Sequence, residues 1–411
     1  MTKITKILGR QVLDSRGNPT IEAEVHTENH MASAIVPSGA STGKHEAVEL
    51  RDNGTEYGGK SVHQAVKNVT RIGEILVGKD CTKQAELDSI MLQLDGTDNK
   101  SRMGANAILA VSMAVARLAA KEKGLELFQY LNTLTGGRDK VLREMSLPTP
   151  FMNILNGGMH ADNALDFQEY MIAPQADTFA ERLRIGAEIY HQLKKVLKAK
   201  GLSTGVGDEG GFAPNLTKPE EPLQMIMEAA KELGYENKIK IGIDAAASEF
   251  YKNKKYVVQG KELTAEELSD VYADLIKKYP IILVEDPFNE EDFDAFAKFT
   301  QRFGDKINVV GDDLLVTNIE RIKIARNKNA CNSLLLKVNQ IGSLTEAINA
   351  AKMAFSEGWS VMVSHRSGET EDTFIADLVV ALGTGMIKTG APCRGERTAK
   401  YNQLLRIEEK L

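Results

Sequence analysis

The chain has 411 residues, 42% hydrophobic and 26% charged, with a formal net charge of −6. At roughly 150 residues per domain this makes two or three units, enough to bury a core without disulfide staples. The acidic balance leaves no electrostatic footprint for nucleic acid, so no nucleic-acid partner is expected. Cys81, Cys331 and Cys393 are far apart and form no CxxC pair, which argues against structural zinc or a disulfide framework and fits a reducing cytoplasm. The N-terminal stretch MTKITKILGRQVLDSRG has no apolar signal segment. The most apolar long stretch, residues 105–120, is interrupted by Asn106, Ser112 and Arg117 and is too short and polar for a membrane span.

In chain order, residues 4–36 alternate apolar and polar positions around turn signals at DSRGNP (14–19) and ENH (28–30), which predicts a small antiparallel meander. A Gly/Ser-rich loop, SGASTG (38–43), follows; it is no P-loop, because GxxxxGK[ST] is absent. Helical patterns then run from about Val62 to Leu131, and TGGRD (135–139) marks a boundary. Beyond it, eight short apolar runs (150–155, 170–173, 239–243, 281–284, 307–310, 334–338, 360–363 and 385–387) alternate with amphipathic helices. Thr264 with Glu267 forms a capping box, with Leu263 and Leu268 as its staple; Ser343 with Glu346 repeats the box, and Gly358 stops that helix. The expected fold is α/β. A smaller α+β N-terminal domain (1–138), with its loop at 38–43, precedes a C-terminal (β/α)8 TIM-type barrel (139–411). Only residues 156–166 separate the first two barrel runs, too few for a crossover helix, so the barrel is expected to start antiparallel.

Six successive barrel runs end in ionisable residues: Asp244, then Glu285 and Asp286, Asp312 and Asp313, Lys337, His365 and Arg366, and Lys388. Barrel active sites occupy that C-terminal rim. One such residue is ordinary where a chain meets solvent, but six in order, acids first and cations after, point to a site. Asp244, Glu285 and Asp312 would repel one another unless a cation intervened, and an all-oxygen set suits Mg²⁺ better than Zn²⁺. The same acids could instead close a salt-bridge ring with Lys337 and Lys388. Beside a dication, Lys337 is expected to have a lowered pKa and so to act as a base at neutral pH. Lysine, magnesium and a basic rim together suggest proton abstraction next to a carboxylate, a pattern known from enolase-type sites. GDEGG (207–211), the NGGMH loop with His160, Gln168-Glu169 and loop 38–43 each have an ordinary structural reading when taken singly.

Together these stretches resemble the enolase family from residue 14 to residue 409: DSRGNPT (14–20), VPSGASTG (36–43), NILNGG (153–158), GDEGGFAP (207–214), EDPF (285–288), LLLKVNQIG (334–342), SHRSGETED (364–372) and IKTGAP (387–392). The resemblance implies a hydro-lyase acting reversibly on 2-phosphoglycerate to give phosphoenolpyruvate. It implies that Lys337 removes the C2 proton and that Glu209 protonates the leaving hydroxyl, supported by Glu169. Asp244, Glu285 and Asp312 would hold one Mg²⁺, and Ser41 in the lid loop a second that arrives with substrate. Arg366 and Ser367 would hold phosphate, with His160, Gln168, His365 and Lys388 as further substrate contacts. It also implies a homodimer or an octamer of dimers. Two departures stand out: residues 51–62 look shortened, and Met159 replaces a small or polar residue. The competing expectations are another lyase or dehydratase of the wider superfamily, and an added non-catalytic binding role.

Overall fold

A computed structural model describes residues 2–40, 42–136 and 144–411. Strands β1 (Lys6–Leu13), β2 (Pro19–His26) and β3 (Met31–Ile35) pair as the expected antiparallel meander. Gly17 takes the left-handed conformation that its first turn requires (φ +73°). Along β2, Ile21, Ala23 and Val25 alternate onto the buried face. Helices α1 (His63–Leu76), α2 (Gln84–Asp95), α3 (Ala105–Glu122) and α4 (Leu127–Leu134) follow. Nearly every residue of α3 is buried, so this apolar segment is the central helix of a globular unit. Among the described residues, no helix is long and apolar enough to cross a membrane. The expected boundary at 138/139 lies outside the described residues.

The second part begins with β4 (Thr149–Asn156) and β5 (Glu169–Pro174), then α5 (Phe179–Ala199), α6 (Glu220–Glu232) and β6 (Ile239–Asp244). A small three-stranded sheet, β7 (Tyr251–Lys252), β8 (Lys255–Val258) and β9 (Lys261–Leu263), leads to α7 (Ala265–Lys278). The alternation continues with β10 (Ile281–Glu285), α8 (Phe293–Phe303), β11 (Asn308–Gly311), α9 (Ile319–Lys328) and β12 (Ser333–Leu336). It ends with α10 (Val338–Ile341), α11 (Leu344–Ser356), β13 (Ser360–Ser364), α12 (Phe374–Leu382), β14 (Met386–Lys388) and α13 (Gly395–Glu408). The eight barrel strands close in the order β10-β11-β12-β13-β14-β4-β5-β6. Only β5 runs antiparallel to both neighbours, as the short β4–β5 connection required.

The capping box at Thr264 and Glu267 forms in both directions. At α11 only half of the second box forms. Ser343 Oγ accepts from the Glu346 amide, but the Glu346 carboxylate takes the Ser343 hydroxyl and Lys100 Nζ (3.0 Å) instead of reaching back to the Ser343 amide. The buried Lys100 of the N-terminal part needs that acid more than the amide does.

Inside the barrel, Phe151, Met171, Leu283, Val310, Leu335 and Met362 pack into one layer, with Met386 against it. Side chains of a strand alternate, so the residue two positions further along points to the same interior. Those positions are Asn153, Glu169, Glu285, Asp312, Lys337, Ser364 and Lys388. Thus the apolar plug and the polar rim are consecutive layers of the same strands. Gly242, two before Asp244, leaves room for the plug: a Cβ there would sit 3.0 Å from the Phe151 ring.

Candidate active site

Strand register lines up the rim. Asn156 pairs with Glu169, Glu169 with Asp244, and Asp244 with Glu285, while Ser364 pairs with Lys388. Because β5 is reversed, its first residue, Glu169, stands at the mouth with the last residues of the parallel strands. A narrow cleft opens there, lined by Gln168, Glu169, Glu209, Asp244, Lys337, Arg366 and their neighbours. It brings together His160, Gln168, Glu169, Glu209, Asp244, Asp312, Lys337, His365, Arg366, Ser367 and Lys388. Glu285 is fully buried just beneath, against Lys388. Ser41 lies outside the described residues.

The expected ligand set is more widely engaged than the sequence suggested. Lys388 Nζ lies 3.0 Å from Asp244, 2.8 Å from Glu285 and 3.1 Å from Glu169, and Lys337 contacts Asp312. These contacts are the salt-bridge ring left open above. Among the described residues, two triads of potential ligand atoms lie within 4.8 Å of one another, His160–Glu169–Glu209 and Asp286–Asp312–Asp313; Asp244, Glu285 and Asp312 are not such a triad. The chemistry of that set still fits a hard divalent cation. Burial, with Asp244 adding to it, pushes the Glu285 carboxyl well above the ordinary range, so its charge needs compensation. Asp312 is oriented from two sides, by Lys337 and by Gln340 Nε2 at 2.8 Å.

The lowered pKa expected for Lys337 depends on a dication. Against the chain's own groups, burial disfavours the ammonium, but Asp312 outweighs it and raises the pKa. Asp286 shapes the acid side differently. Its backbone is left-handed (φ +40°), and its carboxylate accepts from the successive amides of Asp312 (2.9 Å) and Asp313 (2.7 Å). It therefore fixes the loop that carries Asp312.

Across the mouth, Glu169 and Glu209 form a buried carboxyl pair. Burial and the neighbouring Glu209 push Glu169 well up. Burial opposes ionisation of Glu209 too, but the facing His365 ring first, and the Arg397 charge, hold it well down. Two carboxyls so placed titrate as a unit, with the first proton on Glu169. Glu209 Oε2 accepts from Asn153 Nδ2 at 2.9 Å and lies 3.2 Å from His365 Nε2. Its Oε1 faces His160 Nδ1 at 3.6 Å, and the same nitrogen is 3.4 Å from Glu169 Oε1. Burial lowers the pKa of His160, so that imidazole is neutral.

On the cationic side, Arg366 is bidentate to Glu46, at 3.0 and 3.1 Å, and donates to Asn339 Oδ1. Burial works against its charge, but Glu46 outweighs that and raises its pKa. The loop from Ser38 lies against this corner: Ser38 bridges Gly368, and the Ala40 amide donates to Ser367 Oγ at 2.8 Å. The Gly43 amide donates to Glu46 at 3.1 Å. Met159 is 62% exposed and takes no part.

Sequence reasoning missed Glu46, Asn153, Gln340 and Arg397. Asn153 could have been found as a lone amide within the apolar run PFMNIL. Glu46 and Arg397 carry no local signal, because their partners lie 320 and about 30 residues away.

Comparison with known proteins agrees with this arrangement. The profile of "Enolase, N-terminal domain" matches residues 4–131, and that of "Enolase, C-terminal TIM barrel domain" matches residues 144–411. The chain is 56% identical over 415 residues to a protein named enolase from Methanocaldococcus jannaschii, and 54% identical over 420 residues to one from Methanopyrus kandleri. Each alignment covers 100% of this chain and 96% of the relative. Two matched domains and two full-length relatives, on a barrel whose rim carries the acids, the lysines and the arginine of such a site, place the chain in the enolase family.

Proposed function

We propose that this chain interconverts 2-phosphoglycerate and phosphoenolpyruvate, with Lys337 as the base at C2 and the Glu169–Glu209 pair as the proton source at C3. The observation that carries the reading is one cleft holding a lysine just after β12 and a buried carboxyl pair across the mouth. Arg366 and Ser367 hold the phosphate, Ser367 also tying down the 38–43 loop through Ala40. Lys388, His160, Gln168 and His365 complete the lining. Asp244, Glu285 and Asp312 would hold one Mg²⁺, and Ser41 would contribute to a second that comes with substrate. When bound, the cations draw off the charge that gathers on the substrate carboxylate as C2 loses its proton.

The chain's own groups do the rest. Lys337 must be neutral to accept the proton; a cation held by Asp312 would remove the contact that raises its pKa. Glu209 Oε2 accepts from Asn153 Nδ2 and faces His365 Nε2 at 3.2 Å, so Oε1 is the oxygen that delivers a proton to the departing hydroxyl. Glu169, which carries the pair's proton, resupplies it, its Oε1 lying on the same side of His160 Nδ1 as Glu209 Oε1. The residues at 38–43 close over the phosphate corner and exclude water. We further propose two domains, 1–138 and 139–411, a cytoplasmic site of action, and a homodimer or an octamer of dimers.

The comparisons lend no support to another superfamily lyase or to a binding role in place of catalysis. The deciding experiment follows ultraviolet absorbance of the enol phosphate on adding 2-phosphoglycerate, with and without Mg²⁺. A rise that chelator abolishes is expected; a folded, Mg²⁺-supplied protein that gives none would overturn the reading.

A further inference from the structure

Arg397 belongs to none of the roles above, yet it is fully buried at the base of the site. From α13 it reaches under two rim loops. Its NH1 donates to the Arg366 carbonyl (2.6 Å), and its NH2 donates to the carbonyls of Ser367 (2.6 Å) and Asp208 (3.1 Å). One guanidinium thus pins the phosphate loop and the loop that carries Glu209. NH1 also lies 2.7 Å from His365 Nδ1. A guanidinium can only donate, so this nitrogen must present its lone pair. The neutral ring then carries its proton on Nε2, the nitrogen 3.2 Å from Glu209 Oε2.

We propose that Arg397 is a positioning residue for the proton-transfer step, locking His365 in the Nε2–H tautomer; this buried nitrogen has no other hydrogen-bond partner and so turns its proton toward Glu209 Oε2, leaving Oε1 to exchange the proton. The opposite tautomer would turn a lone pair toward the carboxylate and expel or rotate it. The other ionisable groups facing His365 are Glu209 and Glu369, both of which favour the imidazolium. Burial, reinforced by Arg397, overrides them and brings the imidazole down to about 4, so it stays neutral. The inference rests on the reading of Glu209 as proton donor, but the tautomer itself does not.

The first measurement needs no alteration of the site. Wild-type protein labelled with ¹⁵N-histidine is examined by NMR at neutral pH, the His365 signals being assigned by their loss in His365→Gln. A protonated Nε2 with a bare Nδ1 is expected; a protonated Nδ1, alone or in an imidazolium, overturns the proposal whatever the reaction proves to be. The second measurement compares Arg397→Met with Arg397→Lys, using 2-phosphoglycerate and Mg²⁺. In the Met variant kcat should fall at least about tenfold, with KM changing less, as for loss of an interaction that serves the transition state. Its acid limb should also move up toward the ordinary imidazole range, because the repelling charge is gone. Lysine should restore part of kcat. A folded Met variant with wild-type kcat and pH profile overturns the proposal, and if that variant does not fold, the NMR result decides.

Discussion

Asp377 offers a quantitative test of how the barrel manages buried charge. It lies on α12, nearly inaccessible, and its carboxylate receives two long bonds from Gln403 Nε2, at 3.2 and 3.4 Å, and a backbone hydrogen bond from Phe128. The nearby cation, Arg117, is already bidentate to Asp372, at 2.6 and 2.7 Å. Burial therefore dominates and lifts Asp377 from 3.8 to about 6. A carboxyl whose folded pKa is raised is stabilising relative to neutral pH only where it is protonated, below the unfolded pKa. That contribution is lost as pH climbs from 3.8 through 6, where the folded state must give up its proton. The 2.2-unit difference between those two values corresponds to about 3 kcal/mol of instability above pH 6. Asp377→Asn removes the charge while keeping the shape and an acceptor for Gln403. It should raise the thermal unfolding midpoint by a few degrees at pH 7.5, and the gain should vanish near pH 4, where the wild-type carboxyl is largely neutral. Calorimetry of both proteins at the two pH values measures this. A variant that is less stable at pH 7.5, or whose advantage survives unchanged at pH 4, would refute the reasoning.

Lys337→Ala should abolish exchange of the C2 proton of 2-phosphoglycerate with solvent while circular dichroism stays unchanged; exchange retained in the variant would remove Lys337 as base. Glu46→Gln exchanges a bidentate anion for an amide, at a cost of about 1.5–3 kcal/mol for each charge-assisted bond lost. Arg366 should then be misaligned, and both KM for 2-phosphoglycerate and the inhibition constant for inorganic phosphate should rise roughly 10–100-fold, with kcat changing less. Unaltered constants would mean that Arg366 is held without Glu46. Mg²⁺ at a hundred times its dissociation constant should stabilise the protein by about 2.7 kcal/mol, seen as a higher melting midpoint than in chelator. Asp312→Asn should erase the difference, and a persistent difference would place the cation elsewhere.

The rim was legible because its signal is local: an apolar run ends, and the next residue of the same strand face is charged. Asp244, Glu285, Asp312, Lys337 and Lys388 follow that rule. The reversed β5 was legible from chain length alone, since eleven residues cannot carry a crossover helix. Legibility stopped where contacts depend on tertiary approach. Nothing near Glu46 announces Arg366, 320 positions away. Nothing in GERTAK shows that Arg397 turns inward while Glu396 and Arg394 pair near the surface. The failed half of the Ser343 box has the same origin, a lysine from the other part of the chain outcompeting a local amide. The three acids expected to hold a metal do stand at strand ends, but the lysines expected to serve as base and substrate contact also serve as counterions to those acids.

The strand order also constrains stereochemistry. Around the closed barrel, β12, which precedes Lys337, and β5, which begins with Glu169, are four strands apart in either direction. They are therefore diametrically opposed across the mouth. Glu209 sides with β5 through Asn153 of β4, the strand next to it. A substrate anchored by phosphate at Arg366, between these poles, meets the base on one face and the acid on the other. With Lys337 as base and the carboxyl pair as acid, loss of the C2 proton and of the C3 hydroxyl is expected to be anti. With 2-phosphoglycerate carrying deuterium in one defined C3 position, phosphoenolpyruvate should form as the single alkene isomer that anti elimination dictates, as read from its proton–phosphorus couplings. The opposite isomer would place acid and base on the same face and refute the opposition of Lys337 and the Glu169–Glu209 pair.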